Sequence, residues 1–235
     1  MDADFSALDR PDVLRVLFHP RGDYGLPAGG PPQTADGFPR VQDILVPVAA
    51  GIAVGARFHL SGLTHANILF FHGNGEIAAD YDEIGPFYNR MGVNFLAVDY
   101  RGYGRSTGHP TVTAMMQDCH TIYRFAADWL AQNGFTGPLI FMGRSLGSAS
   151  AIELAAAAPE RIAGLIVESG FAFVEPLLRL LGADPARIGF REESAFRHIE
   201  KIGQVKMPVL IIHAEFDHII PFSDGQAIFD ACPSP

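Results

Sequence analysis

Gly143-Arg144-Ser145-Leu146-Gly147 is the stretch that decides how this chain reads. It follows the apolar run Pro138-Leu139-Ile140-Phe141-Met142 and opens the Ala-rich segment Ser148–Ala158. A strand, a sharp turn and a helix in that order form a nucleophile elbow, which lifts a serine hydroxyl clear of a sheet. The flanking glycines let the turn be tight, and Leu146 N–H then stands where it can donate to an oxyanion. The competing reading is a serine that caps the helix after it, a common use of serine. Capping does not require glycine on both sides at this spacing.

The same alternation of apolar run and helical pattern extends outward from the elbow. Val41–Val48 and Ile52–Leu60 read as strands joined by Ala49-Ala50-Gly51, a hairpin. Ile68–Phe71, Phe95–Val98, Leu139–Met142, Ile162–Val167 and Val209–His213 read as short buried strands. Asp80–Arg90, Thr111–Gln132, Leu146–Ala158 and Ser223–Cys232 read as helices, the first interrupted by Pro86. Before them, Asp9-Arg10-Pro11 reads as the cap of a helix through Phe18, and Gly22–Pro39 as a Gly- and Pro-rich loop. Strands alternating with helices predict an α/β fold, a mostly parallel doubly wound sheet. Apolar runs without internal alternation fit strands covered on both faces. Phe171–Lys206 interrupts the pattern and reads either as a small helical lid or as a packed excursion without a gating role.

Composition narrows the class. At 235 residues, with 48% hydrophobic residues and a net charge of −9, the chain reads as one globular domain. The acidic balance argues against nucleic-acid binding, which uses a basic stripe. No apolar run reaches the roughly 18 residues of a membrane span. The first residues lack the basic and apolar regions of a secretory signal. Two cysteines, Cys119 and Cys232, are too few for a disulfide framework. Together these features predict a cytoplasmic protein.

Ser145 is the candidate nucleophile, and it needs a base to take its proton. His72-Gly73-Asn74-Gly75 follows the strand Ile68–Phe71, where a second oxyanion donor belongs. Asn74 N–H and Leu146 N–H are the expected pair, with His72 holding the loop. Asp217, after the strand Val209–His213, is the candidate acid; the alternative is a turn-forming aspartate before Ile219-Ile220-Pro221. Glu168 is the alternative acid, and Glu215 a weaker one. Asp99-Tyr100-Arg101-Gly102-Tyr103-Gly104-Arg105-Ser106 has neither Walker nor dinucleotide spacing and reads as a structural turn lining the site.

Taken in order, these four motifs resemble the α/β-hydrolases. They are similar to the subgroup of α/β-hydrolase-domain depalmitoylases and lysophospholipases with their bacterial relatives. Leu17-Phe18-His19-Pro20-Arg21 resembles that subgroup's N-terminal segment. The resemblance covers about residues 14–235. It implies a serine esterase or thioesterase acting through an acyl-enzyme on a small-molecule acyl ester or thioester, with no metal or organic cofactor. The residue pattern itself divides the chain into an N-terminal extension at 1–40 and a hydrolase domain at 41–235, with the lid inserted at about 171–206.

The chain departs from that family at one position. The expected order is serine, acid, histidine. The only histidine after Asp217 is its neighbour His218, which a carboxylate beside it can hardly orient. No triad histidine is assigned. His19, His59 and His65 are expected outside the active-site edge, and His109, His120 and His198 near or in helices. The expected form therefore lacks the family's last strand and helix, which would leave Val209–Ile212 as a bare edge open to self-association. Such a chain is expected to be nearly inactive, and to be a piece of a longer product. Two further readings stay open: a non-catalytic pseudo-hydrolase that binds a ligand or partner, and an aminopeptidase-like enzyme using Glu175, Glu192 or Glu193 to hold a substrate amine.

Overall fold

A computed structural model describes residues 3–25, 40–157 and 162–234; most of the Gly- and Pro-rich loop, at 26–39, lies outside them. The strands are β1 (Val41–Ala49), β2 (Ile52–His59), β3 (Ala66–Phe71), β4 (Val93–Val98), β5 (Leu139–Arg144), β6 (Gly164–Glu168) and β7 (Val209–Ile212). They form one sheet in the order β1-β2-β4-β3-β5-β6-β7. β1 and β2 form the antiparallel hairpin and β2 pairs antiparallel with β4; every other pairing is parallel.

Alternate residues of the central strands feed two cores. Leu69, Phe71, Leu96, Val98 and Phe141 face the larger one, built with α1 (Pro11–Leu17), α3 (Val112–Gln132) and α4 (Gly147–Ala157). Ile68, Phe70, Phe95, Ala97 and Met142 face the smaller one, under a 3-10 turn at Ala78–Asp82 and α2 (Gly85–Arg90). Both faces of these strands are apolar because both are covered, as their unbroken apolar runs predict. Past β6 the second cover ends. Val209 and Ile211 pack on the larger core, while Leu210 and Ile212 are exposed.

Three local expectations change. Asp80–Arg90 is not one helix. It splits into the 3-10 turn and α2, and Pro86 stands at the start of α2, where its missing N–H is harmless. The split brings Gly85 against the His59 ring, where a Cβ would lie 2.2 Å from Cγ. Asp9 does not cap α1, whose N-cap is Arg10 with no side-chain bond. Its carboxylate reaches across the chain and accepts from Val112 N–H at 2.7 Å and from Thr113 N–H, capping α3. Thr111 caps the same helix by accepting from Ala114 N–H.

Phe171–Lys206 folds as short helices: α5 (Val174–Leu180), α6 (Pro185–Ile188), a 3-10 turn at Glu192–Ser194 and α7 (His198–Ile202). Val174, Leu178, Phe196, Ile202 and Val205 anchor them in the larger core. α8 (Phe222–Ala231) follows β7 and packs against α7. Among the described residues no helix is long and apolar enough to cross a membrane.

Candidate active site

The register of the parallel strands levels their C-terminal ends. Phe71 stands opposite Gly143, Arg144 opposite Glu168, and Glu168 opposite Ile212. The loops that leave β3, β5, β6 and β7 therefore meet at one edge. A cleft of about 410 Å³ opens there, lined by Asn74, Ser145, Leu146, Ser169 and Asp217 among others.

Ser145 has φ +50°, a left-handed conformation that non-glycine residues adopt only under constraint. The constraint is visible. A Cβ on Gly147 would lie 2.0 Å from Phe71 O in β3, and one on Gly143 would lie 2.3 Å from Gly147 O. Only glycine fits at both positions, so the elbow folds as tightly as the sequence predicts. Ser145 N–H donates to Glu168 O at 2.9 Å, pinning the turn to β6. Ser148 Oγ donates to Ser145 O at 2.7 Å. Among the described residues Ser145 Oγ has no hydrogen-bond partner, so it does not act as a helix cap.

The N–H groups of Leu146 and Asn74 are likewise not taken by an acceptor of the described chain, and both residues line the cleft. The Asn74 loop is held from beneath. Glu76 accepts from Gly73 N–H at 2.7 Å and from the Tyr81 hydroxyl at 2.8 Å, and it pairs with Arg144. His72 is buried, its Nδ1 2.8 Å from Gly73 O and its Nε2 3.3 Å from Asp99, which fits the loop-holding role expected of it. Tyr100 donates to His72 O at 2.6 Å. The Asp99–Ser106 turn thus braces the loop, and Gly104 is close enough to Asp99 that a Cβ would meet Oδ2 at 2.0 Å.

Asp217 is half-buried and lines the cleft. Its Oδ1 accepts from Ile219 N–H at 2.9 Å and Ile220 N–H at 3.0 Å. Burial opposes its charge, but these two donors, the nearby His213 and the Ser169 side chain outweigh burial and hold the carboxyl below the usual range. The turn-forming and site-lining readings of this aspartate therefore coexist in one side chain. Glu168, the alternative acid, is turned to Arg144 at 3.5 Å and does not join the cleft lining. Glu215 is exposed.

Two expectations fail here. His19, expected outside the active-site edge, lines the cleft, and among the described residues it is the only histidine that does. Glu192, proposed to hold a substrate amine, instead accepts from Val174 N–H at 2.9 Å and Glu175 N–H at 2.8 Å, while Glu175 pairs with Arg179. None of Glu175, Glu192 and Glu193 lines the Ser145 cleft. The other histidines are engaged or distant: His59 is buried in β2, His65 bonds Ser61, His120 pairs with Glu153, and His198 is buried against Phe171 O. His213 lies 4.0 Å from Asp217, but its Nε2 is 2.8 Å from Ile220 O. His218 is exposed beside Asp217.

Sequence reading missed Ser169, Glu76 and Arg144. Ser169 has φ +46° at the end of β6, a second strained serine at the cleft. Nothing in its local sequence signals this. Glu76 follows the glycine-rich loop directly, and its spacing of three from Gly73 was the available clue.

Sheet order, elbow and cleft define an α/β-hydrolase. The model of the family described as "Serine aminopeptidase, S33" matches residues 62–188, more than half of the chain. Human alpha/beta hydrolase domain-containing protein 17B is 33% identical over 182 residues, which cover 72% of this chain and 56% of that protein. Alpha/beta hydrolase domain-containing protein aho-3 of Caenorhabditis elegans is 32% identical over 73% of this chain and 49% of its own length. An esterase structure from Pyrococcus furiosus superposes with a TM-score of 0.64 at 18% identity, covering 81% of this chain and 77% of that one, a likeness of fold. The chain belongs to the α/β-hydrolase superfamily, in the subgroup of α/β-hydrolase-domain-containing proteins. It spans about half the length of the curated relatives it matches.

Proposed function

We propose that this chain carries the nucleophile, oxyanion donors and acid of a serine hydrolase acting on carboxylic esters or thioesters. The observation that carries the reading is Ser145, held at φ +50° on a two-glycine elbow at the mouth of a cleft shared with Asp217. Ser145 Oγ attacks the acyl carbon and the carbonyl oxygen becomes an oxyanion between the N–H groups of Leu146 and Asn74. Each such donor contributes about 3–4 kcal/mol to the transition state. The alcohol or thiol leaving group departs with the proton lost from Ser145 Oγ, and water then attacks the acyl carbon, releasing the carboxylic acid and returning a proton to Ser145 Oγ. The walls favour an apolar acyl group, since Leu17, Leu177, Leu181, Ile219 and Ile220 line the cleft. Leu177 and Leu181 belong to the inserted segment, which supports treating 171–206 as a lid.

Asp217 orients a histidine base in this scheme, and none of the described histidines stands between it and Ser145. The 235-residue chain is accordingly expected to retain only about 10³–10⁴ over water, the residue left by binding and the oxyanion hole. Fluorophosphonate labelling tests the nucleophile: wild type reacts slowly at Ser145 and Ser145→Ala does not. Equal labelling of the two would overturn the assignment. Free imidazole tests the acid. It should speed the Ser145 reaction, and Asp217→Asn should remove the gain.

The family model's description favours a second reading, an aminopeptidase-like hydrolase. It needs an uncommitted carboxylate for the substrate amine. Glu76 in the cleft is neutralised by Arg144, and Glu175 and Glu192 are engaged elsewhere, so the ester reading is preferred. Turnover of a dipeptide amide above that of an acyl ester would reverse the preference.

A further inference from the structure

The segment that follows α1 crosses the Asn74 loop, and its bonds there fix an imidazole tautomer. Asn74 Oδ1 accepts from His19 N–H at 2.9 Å and from the Tyr103 hydroxyl at 2.8 Å. Burial pushes the Tyr103 phenol up to about 12, so it keeps the proton it donates. With Oδ1 taken by donors, the amide nitrogen Nδ2 points the other way, to His19 Nδ1 at 2.8 Å. An amide nitrogen only donates, so Nδ1 must accept, and the neutral imidazole carries its hydrogen on Nε2. That is the reverse of a triad base, which donates from Nδ1 and accepts at Nε2. His19 lines the cleft, yet it is committed to Asn74 and not to Ser145. Arg21 continues the strap, donating from Nε to Gly75 O at 2.7 Å.

Asn74 needs such a strap. Glycines flank it on both sides, and Gly75 sits at φ +76°. Two glycines give the backbone more freedom to lose than any other pair would. An oxyanion donor acts only if it is held in place before charge develops. We propose that His19 is a positioning residue: its Nδ1 clamps the Asn74 side chain and thereby aims the Asn74 N–H at the substrate oxyanion. The proposal rests on the serine-hydrolase reading for its catalytic consequence, while the clamp itself stands on hydrogen bonds alone.

The test uses the 235-residue chain and three substitutions at this exposed position. Asparagine presents Oδ1 where histidine presents Nδ1, so His19→Asn keeps the acceptor; His19→Gln mimics Nε2 instead, and His19→Ala removes both. Amide exchange at residues 73–75 is expected to rise about tenfold in His19→Ala and His19→Gln and to return within about twofold of wild type in His19→Asn. The maximal rate of fluorophosphonate capture at Ser145 should fall in His19→Ala and His19→Gln and recover in His19→Asn, with half-saturation unchanged. Exchange that is unaltered in His19→Ala, or as fast in His19→Asn as in His19→Ala, overturns the clamp. Altered exchange with an unaltered capture rate overturns the catalytic consequence and leaves a structural strap. Failure of the wild-type chain to react at Ser145 sinks the hydrolase reading instead, and the exchange measurement still decides the clamp.

Discussion

Ser145 and Asp217 face one cleft from the ends of strands two places apart, and they are held in opposite ways. β5 is paired on both sides, and its turn is locked by glycines that touch the backbone of β3 and the first turn of α4. Among the described residues β7 is paired on one side, and its turn is held by bonds from the N–H groups of Ile219 and Ile220 to Asp217. In the first turn Gly143, Leu146 and Gly147 are buried and Arg144 and Ser145 half-buried; around the second, Phe216, Ile219 and Phe222 are exposed. Ser145 is thus fixed by steric exclusion, which leaves no alternative geometry. Asp217 is fixed by electrostatics, which its surroundings can tune.

The comparison breaks most sharply at Gly147. Gly147→Ala forces a methyl onto Phe71 O and should destabilise the whole domain by about 3 kcal/mol or more. At about 2–4 °C per kcal/mol for a chain this size, the expected fall in Tm is about 6–12 °C. Asp217→Ala should be milder and local. Losing a carboxylate that accepts two N–H bonds is expected to cost about 2 kcal/mol, read as faster amide exchange at 217–221 with smaller change in β5. Equal loosening of both turns by either substitution would show that they form one unit.

Acid should also separate the two sides. Burial lowers the pKa of His198 to about 4, and its Nδ1 donates to Phe171 O at 2.6 Å. Its folded value lies below the unfolded one, so the contribution is complete above about pH 6.5 and is lost as pH falls toward 4. Between pH 7 and 5 that loss is about 2 kcal/mol. His59, lowered to about 4 by burial and then by Arg57, adds a similar slope from the opposite side of the sheet. His198→Asn keeps a donor for Phe171 O and should flatten denaturation midpoint against pH by about half, sparing the His59 share. The smallest effect is expected at Ser145 itself. Ser145→Gly relieves the positive φ and should stabilise by about 1 kcal/mol, a small rise in Tm, while it abolishes labelling.

How far the residues could be read follows the same division. The elbow was legible because its requirement for glycine is local, and the strands because both faces of each central one are covered. Asp217, the proposed acid, was picked out by its place after β7. The Asp9 cap on α3 joins residues 103 apart in the chain, and the His19–Asn74 bond joins residues 55 apart. No periodicity or spacing reports such contacts. Asp80–Arg90 misled because its helical composition hid the close approach of Gly85 to His59. Ser169 was invisible because serine does not advertise a left-handed backbone as glycine does.

The order of the strands has one more consequence. From β3 the chain steps to β4 on one side, then passes back over β3 to β5 on the other and continues outward to β7. The winding reverses at β3 and β5, so the loops leaving those two strands diverge and leave a crevice above the sheet. Asn74 and Leu146 stand on its two banks. The opening is a product of connectivity, present whatever side chains line it. Replacing Leu177, Leu181 or Ile219 would reshape the crevice without closing it, which lets one frame be refitted to ligands of different shape while the backbone of Asn74 and Leu146 stays where it is.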